Sequence, residues 1–120
     1  VVLGLPFRAE LTQQHGFLHA GIVTSVVDSA CGYAALTLME PGAAVLSVEF
    51  KVNLLAPARG THFRAIGKVV RAGKTVTVVT GELRAFEGRT EGVADDGEGA
   101  VVAIMTGTMM AVRDRPGLVD

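Results

Sequence analysis

The chain of 120 residues is poor in the residue types that several protein classes require. Its one cysteine, Cys31, excludes an intramolecular disulfide and a zinc site built from four thiolates. This cysteine usage fits a reducing compartment, and we expect the protein to be cytoplasmic. Tryptophan is absent and aromatic residues make up 5% of the chain, so few side chains can stack on nucleic-acid bases or other rings.

Concentrated charge of one sign is also missing. Lys and Arg number 11, Asp and Glu number 12, and no block of like charges interrupts the sequence. We therefore expect no electrostatic capture of nucleic acid or of an anionic membrane. The first ten residues lack the basic region and the cleavage site of a signal peptide. The apolar window from Ala20 to Met39 holds Asp28 near its centre, which argues against a membrane span.

The pattern of apolar residues predicts a single α+β domain over residues 1–120. Small and aliphatic residues from Ala20 to Leu38 predict one long buried helix that ends before Pro41. Alternating apolar and polar residues from Val45 to Leu55 predict a half-buried strand. Further strands are expected around Val2 to Arg8, Thr61 to Arg71, Thr75 to Phe86 and Ala100 to Val112, with a loop at Gly88 to Gly99.

This order of elements predicts a mostly antiparallel sheet with the helix packed on one face. One helix cannot cover both faces of five strands. We therefore expect a homo-oligomer that shields the other face.

Asp28 is the unusual residue of the predicted helix, because no other charged residue lies between Glu10 and Glu40. Thr24 and Ser25 lie about one turn before Asp28, where they could donate hydrogen bonds to it, and Gly32, one turn after, leaves space for a ligand. A solvated helix face is the alternative, but the neighbours at helical spacing are mostly small and apolar. We favour a functional carboxylate, since a buried unpaired charge is costly.

A polar, glycine-containing segment from Gln13 to Gly21 leads into the helix start. The N–H groups of Ala20 and Gly21 would point where a carbonyl oxygen could bind, and the helix dipole favours negative charge there. An ordinary helix start without a ligand explains this segment equally well. His19 is expected to fix the loop by a hydrogen bond or to contact the ligand.

Other chemical interpretations fit less well. His15 and His19 could suggest a metal pair, but no third ligand is evident and we expect no metal. Cys31 lies among small apolar residues with no base nearby, which indicates a buried structural thiol. The chain has no G-x-S-x-G motif of a serine hydrolase.

Gly73-Lys74-Thr75 resembles the end of a phosphate-binding loop, but the preceding glycine spacing is wrong and a strand follows. We expect no ATP site. Lys74 and Arg71 remain candidates for contact with a phosphate-bearing substrate, although solvated surface side chains explain them as well.

Two segments, HGFLHAGIVTSVVDSACGYAA and VLSVEFKVNLLAPARG, resemble hotdog-fold thioesterases of the PaaI type. The resemblance covers roughly Gln13 to Ala111. It implies a long central helix wrapped by a five- to six-stranded antiparallel sheet, paired into a homodimer and often into a dimer of dimers. It also implies active sites at the dimer seam.

The resemblance further implies hydrolysis of an acyl-CoA of small, medium-chain or aryl type, with coenzyme A as part of the substrate and no separate cofactor. The Ala20 N–H and the Gln13 side chain would polarise the thioester carbonyl. Asp28 of the neighbouring subunit would act as general base or nucleophile, and Ser47 would orient the water. Two positions depart from the family pattern, since Ala20 replaces a glycine and Gln13 replaces the more usual asparagine.

Two other functions remain open on the same fold. A non-catalytic module that binds acyl-CoA or an acyl carrier is the first alternative. A hydratase is the second, although no Asp and His pair has the spacing expected of hotdog hydratases.

Overall fold

The helix and strands lie close to the predicted segments in the computed structural model, which describes residues 1–13, 16–87 and 99–113. The elements in chain order are β1 (Val2–Pro6), a short 3-10 helix (Ala9–Leu11), α1 (Ala20–Leu36), β2 (Ala44–Leu54), β3 (His62–Ala72), β4 (Val76–Phe86) and β5 (Ala100–Val112). Apart from Gly99, the predicted loop lies outside the described residues. So does His15.

The five strands form one sheet in the order β1-β3-β4-β5-β2, and every neighbouring pair is antiparallel. The predicted antiparallel sheet with one long helix is therefore confirmed. The helix ends at Leu36, two residues before the predicted end, because Thr37 caps it and Leu38 and Met39 turn back onto the carbonyls of Ala35 and Leu36. Within the described ranges, no helix combines the length and the apolar character needed to cross a bilayer.

The helix lies directly on the sheet because two glycines face it. A Cβ atom added at Gly67 of β3 would overlap the backbone of Ala30 and Cys31. A Cβ atom at Gly81 of β4 would lie 2.6 Å from the Cys31 sulfur. The core between the two layers is built from buried side chains of α1, β3, β4 and β5, of which Phe63, Leu83, Met109, Val27, Val79 and Cys31 are the largest that are fully enclosed.

The opposite face of the sheet and its β2 edge carry exposed apolar side chains in the single chain. On the outer face Val70 is 61% exposed and Ile104 is 42% exposed. Along β2, Leu46, Val48 and Phe50 are also exposed, and β2 pairs only with β5 among the described strands. The predicted need for cover is thus visible in the structure, since patches of this kind mark interaction surfaces.

His62 is buried at the start of β3. The sequence pattern gave no reason to expect that this histidine would be buried. Its ring stacks on Phe86 with centroids 4.8 Å apart, and its Nε2 atom has no hydrogen-bond partner. Burial lowers the pKa of His62 from its ordinary value of 6.5, and the charge of Arg64 lowers it further. The fold therefore favours the neutral ring.

Replacement of Gly67 by alanine should destabilise the protein, because the added methyl group can be accommodated only if α1 moves away from β3. We expect a loss of about 1–3 kcal/mol in the free energy of unfolding, as for other overpacked cores. Chemical denaturation measures it. The matched control is Gly4→Ala on β1, where a Cβ atom meets nothing within 4 Å. Equal stability of the two variants would contradict the proposed contact.

Acid should weaken the fold through His62. The unfolded chain binds the proton more readily than the folded state, so this contribution to stability is complete above pH 6.5 and falls as pH drops toward the lowered folded-state pKa. We expect the melting temperature to fall as the pH is lowered from about 7.5 to about 5.5. The decrease should be smaller in His62→Phe, which keeps an aromatic ring against Phe86 but does not titrate. Identical pH profiles for both proteins would show that His62 is not responsible.

Candidate active site

The start of α1 is held in place by hydrogen bonds from three parts of the chain. The His19 N–H donates to the Leu11 carbonyl at 3.0 Å, and the Leu18 N–H donates to the Ala58 carbonyl at 3.1 Å. The Gln13 N–H donates to the Phe17 carbonyl at 2.8 Å, across a turn in which Gly16 has φ +85°. Positive φ suits glycine, so this turn positions Gln13 next to the first helical residue.

His19 is the N-cap residue of α1, and its ring Nδ1 atom accepts a hydrogen bond from the Gly21 N–H at 2.9 Å. The expected loop-fixing role of His19 is thus found. The expectation that the Gly21 N–H faces a ligand is wrong, because the cap occupies it. A neutral ring that accepts at Nδ1 carries its proton on Nε2.

The Ala20 N–H is the donor that remains at this helix start, since it bonds to no other described residue. Ala20 is the first residue of α1. Its helical backbone does not need the positive φ that only a glycine adopts readily, so the departure from the family's glycine keeps the donor in place. The dipole of α1 adds partial positive charge at this point.

A cavity of about 660 Å³ lies against this donor, and we call it the helix-start cavity. Gln13, His19 and Ala20 form its polar part. Its other walls are mainly apolar, and include Phe17, Val23, Leu54, Leu55, Pro57 and Val102. The structure thus brings together three of the predicted site residues and adds a mainly apolar cavity wall beside them.

Asp28 lies further along α1 and faces β2. Its Oδ1 atom accepts a hydrogen bond of 2.7 Å from the Ser47 hydroxyl, and no other described residue bonds to the carboxylate. Asp28 is half-buried, whereas Ser47 is exposed. The structure thus brings these two predicted site residues into contact, with one carboxylate oxygen left for a further donor such as water. The role of Ser47 in orienting that water stays a prediction.

A smaller cavity of about 220 Å³ opens at Asp28, and we call it the Asp28 cavity. Gly32 and Tyr33 lie in its wall together with Ser47, as the space predicted beside Gly32 requires. Cys31 points the other way into the core, where burial and the negative charge of Asp28 raise the pKa of its thiol to about 11. A thiol in this state is a structural side chain and a poor nucleophile.

Within one chain, the Ala20 N–H and the Asp28 carboxylate are too far apart to act on the same bond. Asp28 follows Ala20 by eight helical residues, which is a rise of about 12 Å along the axis. A general base must come within about 3 Å of the proton that it removes, or act through one water. Joint action of the Ala20 N–H and the Asp28 carboxylate on one bond would therefore require the Asp28 cavity of one chain beside the helix-start cavity of another.

The other predicted residues are placed away from these cavities. Arg71 and Lys74 lie at the hairpin between β3 and β4, and Lys74 lines a separate cavity beside Met39 at the far end of α1. Neither residue lines the helix-start cavity of its own chain. Their contact with a substrate phosphate stays a prediction. Within the part of the chain that is described, no cluster of three His, Cys, Asp or Glu could hold a metal ion.

Sequence reasoning missed the apolar walls. Leu54 and Leu55 lie at the end of the clearest predicted strand and Pro57 follows it, so this strand end was a usable signal. Tyr33 follows Asp28 by five residues, which differs from the three- or four-residue spacing of neighbours on a helix face, so helical spacing did not indicate it.

Comparison with known proteins identifies the family that has this architecture. The model of the thioesterase superfamily matches residues 15–91. The chain belongs to this superfamily. The resemblance to hotdog-fold thioesterases is thereby confirmed, and the long helix on a five-stranded antiparallel sheet matches solved thioesterase structures.

Two solved structures share the fold over nearly the whole chain. A thioesterase family protein from Silicibacter pomeroyi is 53% identical, with a TM-score of 0.84 over 94% of this chain and 77% of that one. A Bacillus halodurans protein solved with CoA is 24% identical, with a TM-score of 0.81 over 95% of this chain and 68% of that one.

A candidate esterase of Saccharolobus solfataricus is 39% identical over 88 residues, which are 73% of this chain and 62% of that protein. A second one is 36% identical over 70% of this chain and 54% of that protein. The chain thus spans 62% and 54% of the length of these two relatives.

Proposed function

We propose that this protein is an acyl-CoA thioesterase of the PaaI type whose active sites form between two subunits. The observation that carries the proposal is the division of the site within one chain. The helix-start cavity supplies an unpaired backbone donor and an amide residue, Ala20 and Gln13, whereas the carboxylate lies about 12 Å further along the same helix.

The helix-start cavity suits the acyl-CoA thioester carbonyl. In the transition state of hydrolysis the carbonyl oxygen gains negative charge, and the Ala20 N–H with the dipole of α1 stabilises that charge. Gln13 lines the same cavity and offers an amide donor with a longer reach than asparagine. A mainly apolar wall excludes water from the donors and strengthens both interactions.

Asp28 of the partner subunit supplies the reactive carboxylate. As a general base it takes a proton from water, whose oxygen attacks the carbonyl carbon; the thioester C–S bond then breaks and the CoA thiolate takes a proton as it leaves. As a nucleophile its oxygen attacks the same carbon and water hydrolyses the resulting anhydride. Ser47 donates to Oδ1 in either route and orients the carboxylate.

Pairing of two β2 edges offers a geometry that joins the halves. Ser47 and Leu54 lie toward opposite ends of β2, at the Asp28 cavity and at the helix-start cavity. An antiparallel pairing centred between Phe50 and Lys51 places Ser47 of one chain opposite Leu54 of the other. The exposed apolar side chains of β2 then become buried, and two such dimers could cover their remaining apolar faces by pairing.

Asp28→Asn should fold and associate like wild type and lose nearly all turnover, because an amide neither accepts the proton nor attacks the thioester. The assay is thiol release from short, medium, long and aryl acyl-CoAs. The matched control is Glu82→Gln, the same change on the outer face of β4, where Glu82 pairs with Arg84. Normal turnover by Asp28→Asn would refute the assignment, and binding without thiol release by wild type would favour a non-catalytic binding module.

Mixing two inactive variants tests the shared site. A heterodimer of Asp28→Asn and Gln13→Ala has both changes in one site and neither in the other, so random mixing should restore about a quarter of wild-type activity. The variants are mixed under conditions that exchange subunits, and each is also assayed alone. Absence of recovery despite demonstrated exchange would place Asp28 and Gln13 in the same subunit's site.

A further inference from the structure

Arg59 lies at the rim of the helix-start cavity and has no role in the chemistry derived above. Its guanidinium carbon is 5.1 Å from the centroid of the Phe17 ring, and Phe17 is part of the cavity wall. Pro57 and Ala58, the two residues before Arg59, also line the cavity. Arg59 itself is exposed, so its charged group faces solvent at the cavity mouth.

Among the described residues, no carboxylate forms an ion pair with Arg59. The described residues of the cavity wall also include no Asp, Glu, Lys or Arg side chain. An anionic group on a ligand that extends out of the cavity would therefore find a cation at the mouth and no repelling carboxylate in the wall.

Phe17 holds Arg59 in place for this contact. A guanidinium over an aromatic face is attracted by the π electrons of the ring, and its N–H donors remain available for another partner. These donors form a fork that matches two oxygens of a phosphate. Less side-chain entropy is lost on binding than for an unsupported arginine, because the ring already restricts the rotamers.

We propose that Arg59 binds a phosphate of the coenzyme A portion of the substrate and thereby selects CoA thioesters over thioesters without phosphate. The inference rests on the proposed function. With the thioester carbonyl at the Ala20 N–H, the uncharged pantetheine chain runs along the apolar wall at Leu54 and Leu55, and the phosphates emerge at the mouth beside Arg59. The uncharged cavity wall and the charged rim thus match the order of the uncharged pantetheine chain and the charged phosphates along the ligand.

The test compares Arg59→Gln with wild type on acyl-CoA and on the corresponding acyl-pantetheine, which lacks every phosphate. We expect KM for acyl-CoA to rise about tenfold with kcat unchanged, since one exposed charge-assisted contact is lost. The constants for acyl-pantetheine should not change. Titration calorimetry with coenzyme A should show the same loss of affinity, without any need for turnover.

Two variants control for charge and shape. Lys68→Gln removes one positive charge from the outer face of β3 and should leave both substrates unaffected. Arg59→Lys keeps the charge without the fork and should recover part of the lost affinity. An unchanged affinity of Arg59→Gln for coenzyme A, or equal losses for CoA and pantetheine compounds, would overturn the proposal. Weaker CoA binding by Arg59→Gln, in a protein that hydrolyses neither substrate, would support Arg59 and refute the thioesterase.

Discussion

The close packing of α1 on two glycines of the sheet determines how near the helix lies to the strands. Gly67 faces the helix backbone, and Gly81 faces the side chains of Val27 and Cys31. Gly67 and Gly81 have no Cβ atoms, and added ones would overlap Ala30, Val27 or Cys31. Side chains of ordinary size at these positions would move the helix outward. Because α1 lies so close, Asp28 reaches across to Ser47 on β2 and its carboxylate is anchored at 2.7 Å. The position of the carboxylate thus depends on the absence of larger side chains at Gly67 and Gly81.

This close packing also explains why the helix tolerates a charge in its middle. Asp28 lies on the side of α1 that faces β2 and not the enclosed core. It is therefore half-buried. A fully buried carboxylate would lose most of its hydration and would need a cationic partner. At the β2 edge a serine hydroxyl is sufficient, and the second oxygen stays available for reaction.

Much of the fold could be predicted from the sequence because its signals are local. Alternation placed the β2 strand to within one residue at each end, and the apolar run placed the start of α1 correctly. The site could be predicted in part, since a lone acid in a helix of small residues is a local anomaly. What could not be predicted depends on side-chain orientation or on tertiary contacts. The capture of the Gly21 N–H by His19 follows from a ring orientation, and the burial of His62 follows from its stack on Phe86.

The proposed division of the site follows from the geometry of α1. The rise of the helix fixes the separation of Ala20 and Asp28, so both residues of one chain cannot reach the same carbonyl. In the proposed dimer, pairing of two β2 edges resolves this constraint and also buries Leu46, Val48 and Phe50, which are exposed in the single chain. Association and catalysis would then share one surface. Under this arrangement the free energy of burying the β2 edge also assembles the active site, and an isolated chain holds only two separate halves of it.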